Sequence, residues 1–232
     1  VFVSADGLGD YHTIGEALEG ITAGDTIVLE GAFAEVLTID KAVNLIALPD
    51  VQITGAMTID EADGVYLENL DVIGGLTINS GTVASSVVIH DCQFTNPVGV
   101  SGLALLVDTT DTTTYLELSG KTIFTNLFAT ALFIAELTGT TGGEITLKAT
   151  PGVEFHIASG TFGSGIYIDD DDAISTILDV TDSYLQGVYI GSDSGNALAA
   201  AIATTVPVFL SRLVGGGDAQ ITLPANSNNV TT

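Results

Sequence analysis

Four consecutive carboxylates, Asp169, Asp170, Asp171 and Asp172, follow the apolar, strand-like Ile166-Tyr167-Ile168. A pair of carboxyl groups serves glycoside hydrolysis when one of them has a raised pKa. Oxygen-rich side chains on a turn also suit Ca²⁺, which takes about six to eight oxygen ligands. A block of like charges ordinarily stays a solvated turn. The solvated turn is therefore the first reading of these four aspartates, calcium the second and catalysis the third. Asp108 and Asp111 mark a similar turn earlier in the chain and add to the calcium reading.

The other reactive side chains are scattered. His12, His90 and His156 form no i, i+4 pair, whereas a zinc site needs three or four convergent ligands. His90 falls on the outward phase beside Val88, since Val87 and Ile89 take the inward one. Cys92 falls on an inward phase with Leu70 and Ser183 and reads as a small buried core residue. Spacing alone assigns no Ser-His-Asp or Cys-His pair. Gly215-Gly216-Gly217 lacks the lysine of a phosphate loop. No catalytic residue, cofactor or metal is assigned, and the expectation is a chain that is not an enzyme.

Aromatic residues offer a different kind of site. Leu132/Ile134, Ile166/Ile168 and Val188/Ile190 read as inward pairs, which points Phe133, Tyr167 and Tyr189 outward. Thr77 and Ala104 continue that row. A solvent-facing aromatic ladder suits a subunit interface, where aromatics are enriched. It also suits a platform on which sugar rings stack, or plain cross-strand packing. The interface reading leads, with a homo-oligomer, a trimer by preference, as its consequence.

Composition narrows the partners. The 232 residues carry 4 Lys and Arg against 29 Asp and Glu, a formal charge of −25. Nucleic acid requires cations that displace counterions, so it is excluded as a ligand. Anionic membrane surfaces are excluded by the same sign argument, and no run of about 18 apolar residues is present to span a bilayer. Hydrophobic residues make up 46% of the chain and mean hydropathy is +0.50, which excludes wholesale disorder. Val1-Phe2-Val3 reads as a strand at once, with no basic or apolar leader pattern before it; either a signal peptide has been removed or only an initiator methionine has been lost, and the second is the expectation.

The elements that must carry these residues repeat. Apolar residues alternate with a period of two nearly throughout. Val65, Leu67, Asn69, Leu70 and Val72 align position for position, without a gap, with Val87, Ile89, Asp91, Cys92 and Phe94. Leu178, Val180, Asp182, Ser183 and Leu185 fit again, and the stretches from Tyr115 to Phe124 and from Ile145 to Phe155 read as longer-turn variants. A second element recurs as Gly75-Leu76-Thr77-Ile78, Gly102-Leu103-Ala104-Leu105, Ala131-Leu132-Phe133-Ile134, Gly165-Ile166-Tyr167-Ile168 and Gly187-Val188-Tyr189-Ile190. Its intervals are unequal, longest from Ala131 to Gly165 and shortest from Gly165 to Gly187. Such a unit cannot bury its own apolar face, so successive units must stack. The expected fold is all-β: a right-handed, single-stranded parallel β-helix, a solenoid of about seven coils stacked ~4.8 Å apart.

Solenoid ends need covers. Thr13-Ile14-Gly15-Glu16 is a capping-box pattern that starts a short N-terminal capping helix through Ile21. The Ala-rich stretch 196–205 reads as a second cap, limited by Pro207. Residues 1–214 form the β-helix domain with its N-terminal cap, and residues 215–232 a flexible, polar C-terminal tail that follows the glycine triplet. Asn229-Val230-Thr231 is a glycosylation sequon of the kind that chance often supplies.

The N-terminal stretch through Gly55 carries a further pattern. Val3-Ser4-Ala5-Asp6-Gly7-Leu8-Gly9-Asp10-Tyr11 precedes Thr13-Ile14 and Glu16-Ala17-Leu18. Ala23-Gly24-Asp25-Thr26-Ile27, Gly31-Ala32-Phe33-Ala34-Glu35 and Leu37-Thr38-Ile39 follow. Together these resemble the entry to right-handed parallel β-helix proteins of the pectin-lyase-like superfamily, and most nearly pectin methylesterases, with Phe33 in place of a tyrosine in their G-x-Y-x-E turn. The resemblance implies the β-helix fold. It does not extend to the catalytic contexts of those esterases (Q-D-T, D-F-I-F-G and an arginine), nor to the G-H-G and R-I-K elements of polygalacturonases. Arg212 is the only arginine, and a poor match for the basic arginine of pectate lyases. The chain also resembles phage structural proteins that use this fold without chemistry.

The expectation is therefore a non-enzymatic virion protein: a bacteriophage capsid decoration or cement protein, or a tail component, associated with itself and with other virion proteins. The alternative is a secreted carbohydrate-active protein, either esterase-like or a lectin. A third reading is a surface or adhesion module cut from a larger chain.

Overall fold

The computed structural model describes residues 1–97, 102–110, 112–127, 133–140, 143–150 and 152–157. Beyond these it describes the segments 164–169, 175–180, 184–185, 188–192, 199–203, 210–215 and 220–222. The strands form three wholly parallel sheets of ten, eight and seven strands. The chain visits the sheets in rotation. Val43–Ala47 lies in the ten-stranded sheet, Gln52–Thr54 in the seven-stranded one and Met57–Asp60 in the eight-stranded one; Val65–Glu68 then returns to the first. Parallel neighbours require this kind of crossover, and here strands of the other two sheets provide it.

Period-two alternation sets the faces. In Val65–Glu68 and Ser85–His90 every second side chain is buried. Val65, Val87, Leu116, Leu147 and Leu178 pair in one row. The gapless repeat places Val65, Val87 and Leu178, while in the longer-turn circuits the row falls one position beyond Tyr115 and two beyond Ile145. Leu45, Leu67, Ile89 and Leu118 form the next inward row, each fully buried. The seven-stranded sheet supplies the largest core side chains. Phe94 and Phe124 pair directly, and their rings stack with centroids 5.2 Å apart at 10°. Two residues on, Asn96 donates through Nδ2 to Asn126 Oδ1 at 3.0 Å, and both amides donate to Gly102 O. These buried amides are thus hydrogen-bonded, as burial demands.

The helix Ile14–Gly20 forms as the capping box indicates. Thr13 Oγ1 accepts from Glu16 N at 3.1 Å. The Glu35 carboxylate accepts from the first two N–H groups of the helix, Ile14 N and Gly15 N, each at 3.0 Å. So short a helix does not persist alone; this one is held by burying Ile14, Ala17 and Leu18.

Register in the eight-stranded sheet departs from the alignment expected of the second repeat. The chain returns to one row at Leu37, Met57, Leu76, Leu105, Ala135, Ile166 and Val188, with the shortest circuit from Met57 to Leu76 and the longest from Ala135 to Ile166. Leu76 pairs with Leu105, two positions beyond Leu103. A two-residue slip keeps every side chain on its face, so alternation alone does not reveal it. The segment of Phe133 is displaced by three positions, a shift that exchanges the faces, and Leu137 is the buried residue there. Phe133 consequently pairs with Ser164 and not with Tyr167, which pairs with Glu136. Tyr167 and Tyr189 do pair. Thr77 pairs with Leu106, while Ala104 is buried.

Two end regions differ as well. The Ala-rich stretch forms a strand, Ala199–Ala203, paired with Ser175–Val180, in place of a second cap. The open edge of the preceding strand offers a ladder of backbone partners, and that tertiary pairing outweighs the local preference of alanine. Gln220–Thr222, inside the segment read as a tail, pairs with Ala199–Ala203.

Candidate functional site

Where the ten-stranded sheet hands the chain to the seven-stranded one, successive circuits turn at Asn69, Asp91 and Gly120. All three have left-handed backbones, with φ of 62°, 53° and 65°. Asn, Asp and Gly are the residues that tolerate this region best. The corner gathers polar side chains because each strand ends there with an outward residue: Glu68, His90 and Ser119 pair in one row.

His90 is the centre of the cluster. Its Nδ1 lies 3.0 Å from Ser119 Oγ and its Nε2 lies 3.1 Å from Asp91 Oδ2. The His90 and Asp91 side chains are 37% and 40% exposed, so water and solutes reach both. Asp91 Oδ1 accepts from Lys121 N at 2.7 Å. Ser119 Oγ has a longer second acceptor, Ile89 O, at 3.4 Å.

Cys92 lies directly beneath. It is buried, accepts from Leu70 N at 3.4 Å and donates to His90 O at 3.2 Å. Burial pushes its thiol up to about 12, against smaller lowering effects from those two backbone groups. A thiol held protonated is no nucleophile. Around the corner from His90 a groove of about 500 Å³ runs past Asp50, Gln52, Asn69, Asp71, Gln93 and Lys121. Gln52 Nε2 donates to Asp71 Oδ2 within it at 2.9 Å. Asp91 lines the groove and also touches His90, so it joins the two surfaces.

The outward face of the same sheet carries further charge. Tyr115 OH donates to Glu117 Oε2 at 2.7 Å, and Lys148 Nζ approaches the same oxygen at 3.5 Å. Tyr66 donates to Glu68 at 3.1 Å; partial burial, then this bond, raises its phenol above the ordinary value.

The residues singled out from sequence are distributed as follows. Asp169 ends the strand Ser164–Asp169, opposite Gly191. Asp170, Asp171, Asp172 and Asp111 lie outside the described residues. Asp108 pairs with Asn79 and Thr138, and partial burial raises its carboxyl above the usual range. Among the described residues no group of three or more His, Cys, Asp or Glu is arranged to hold a metal ion. Phe133, Tyr167 and Tyr189 stand on strands whose side chains at these positions lie outside the described residues, and register unites only the two tyrosines. The Ser119–His90–Asp91 cluster escaped sequence reasoning. Its signal was the offset of 29 that sets Ser119 against His90, hidden because the turn of that circuit is longer.

The chain matches no known protein-family model, no curated protein and no solved structure. The three wholly parallel sheets are compatible with a parallel β-helix.

Proposed function

We propose that the chain is a right-handed parallel β-helix of pectin-lyase-like type that serves as a structural component of a virus particle, a bacteriophage capsid decoration protein or tail component. The observation that carries this reading is the in-register stack. Ten parallel strands follow one another in a single sheet, with inward rows of large apolar side chains and an aromatic pair stacked inside. Such a body is a stiff rod sustained by nearest-neighbour contacts. A charge of −25 keeps a densely displayed protein soluble and away from nucleic acid. In this reading the strands that pair Tyr167 with Tyr189 contribute to contacts between copies, a homotrimer by preference.

The groove beside Asp50, Gln52 and Asp71 favours a second reading, a secreted carbohydrate-active protein. Carboxylates and amides along an open groove are the groups that hydrogen-bond sugar hydroxyls.

Quantitative mass spectrometry of purified particles, with sequencing of the DNA that flanks the gene, tests the proposal. The chain at fixed stoichiometry to the major capsid protein, within a cluster of capsid, portal and tail genes, is the expected result. Its absence from particles, beside genes for sugar transport and hydrolysis, would transfer the assignment to the second reading.

A further inference from the structure

We propose that Ser119 and His90, with Asp91 as their positioning residue, form an ester-hydrolysing site for small acyl esters of neutral polyhydroxy compounds. The inference goes beyond the structural role and does not depend on it.

The geometry assigns the roles. The Asp91 carboxylate, with Oδ2 3.1 Å from His90 Nε2, is an ion-pair neighbour whose negative charge favours the tautomer in which Nε2 carries the proton. The Nδ1 lone pair then faces the Ser119 hydroxyl at 3.0 Å. The two ring nitrogens are exchanged relative to the familiar serine-hydrolase arrangement, but the proton relay through the ring is the same. Asp91 is itself fixed, because its other oxygen accepts from Lys121 N at 2.7 Å. The competing bond from Ser119 Oγ to Ile89 O is 3.4 Å, the longer of the two.

In the reaction Ser119 Oγ attacks the ester carbonyl carbon as its proton passes to Nδ1. The carbonyl π pair moves onto oxygen. Collapse breaks the bond to the alcohol oxygen, and the departing alcohol takes the proton from Nδ1. Water attacks the acyl-serine with the same base, restoring Ser119 and releasing the carboxylic acid. One water is consumed per ester, and no metal or redox partner enters.

Charge and lining select the substrate. A chain of −25 disfavours anionic esters. The groove beyond Asp91 presents Asp50, Gln52, Asp71 and Gln93, acceptors and donors suited to the hydroxyls of a neutral leaving alcohol. Lys121 is the cation at the same corner.

The test uses the full chain with two probes, p-nitrophenyl acetate and a fluorophosphonate, the adduct being mapped by peptide mass spectrometry. The expected result is acetate hydrolysis above buffer and a phosphonyl adduct on Ser119. General-base catalysis contributes about a hundred- to ten-thousandfold, so Ser119→Ala and His90→Gln, each checked by circular dichroism for an intact fold, should lose at least about a hundredfold. His12→Ala, at an exposed position away from the cluster, should retain the full rate. Asp91→Asn should lower kcat with little change in KM and alter the pH profile. No adduct on Ser119 in the unaltered chain, or equal labelling in His90→Gln, would overturn the proposal and leave the cluster as surface hydrogen bonding.

Discussion

The Asp91 carboxylate occupies the space that a side chain on residue 120 would need. A Cβ there would collide with Asp91 Oδ1 and come within 3.0 Å of His90 Cε1. Gly120 also turns with φ of 65°. One glycine therefore meets two demands, a left-handed corner and room for the carboxylate of the preceding circuit.

Gly120→Ala should destabilise the protein by about 1–2 kcal/mol from backbone conformation alone, with a further loss from displacing Asp91. Equilibrium urea unfolding measures the sum. In an Asp91→Ala background the collision with the carboxylate disappears, leaving the backbone cost and the close approach to His90 Cε1. The two changes should then couple by roughly 0.5–2 kcal/mol, within the range for residues in contact. Strict additivity would show that the carboxylate does not depend on this glycine.

Phe124 is fully buried and stacks on Phe94. Phe124→Ala should cost about 3–5 kcal/mol, the usual loss for a large aromatic removed from a packed core. Phe124→Leu, which leaves a smaller void, should cost distinctly less. Denaturation midpoints of the two variants decide the matter; equal and small effects would mean that the stack bears little of the core.

Sequence reasoning reached the inward rows of the ten-stranded sheet because Val65 and Val87 stand in circuits whose turns match, so their alignment needs no gap. It also reached the capping helix, whose signals at Thr13 and Glu16 are local. It misplaced Phe133 because circuit length varies and both phases of the stretch Leu132 to Leu137 carry apolar residues, so alternation does not fix a shift of three. The two-residue slip at Leu103 is invisible to a period of two. The alanines at 199–203 misled for another reason: pairing with a neighbouring strand decided their conformation. The cluster at His90 was out of reach on both counts. It needs the register of a longer circuit and the corner conformation of Asp91, neither of which local composition encodes.

Glu35 reaches across from another part of the chain to hold the N-terminus of the capping helix through Ile14 N and Gly15 N. Glu35→Ala should cost about 1–2 kcal/mol, the scale of a lost helix cap. Hydrogen exchange should accelerate at residues 14–20 and remain unchanged in the strands. Glu35→Gln keeps one acceptor and should retain part of the protection. Uniform acceleration across the sheets would instead mean that the helix and the sheets open as one unit.

The thiol of Cys92 gives a reading of folding from pH and chemistry together. Burial lifts its pKa from 9.0 to about 12. The folded state therefore favours the protonated thiol. The stability linked to this preference is fully present below pH 9, where the thiol is protonated in folded and unfolded chains alike. Above that the unfolded chain ionises first, and this contribution to stability is lost as pH rises from about 9 towards about 12. At about pH 8 the folded thiolate fraction is roughly a thousandfold below that of the unfolded chain, so iodoacetamide should label native protein at least about a hundredfold more slowly than protein in urea. Cys92→Ala should flatten the alkaline part of the stability curve between those limits. Rapid labelling of the native chain, with a midpoint near 9, would show that Cys92 is open to solvent and that the corner above it is looser than its hydrogen bonds imply.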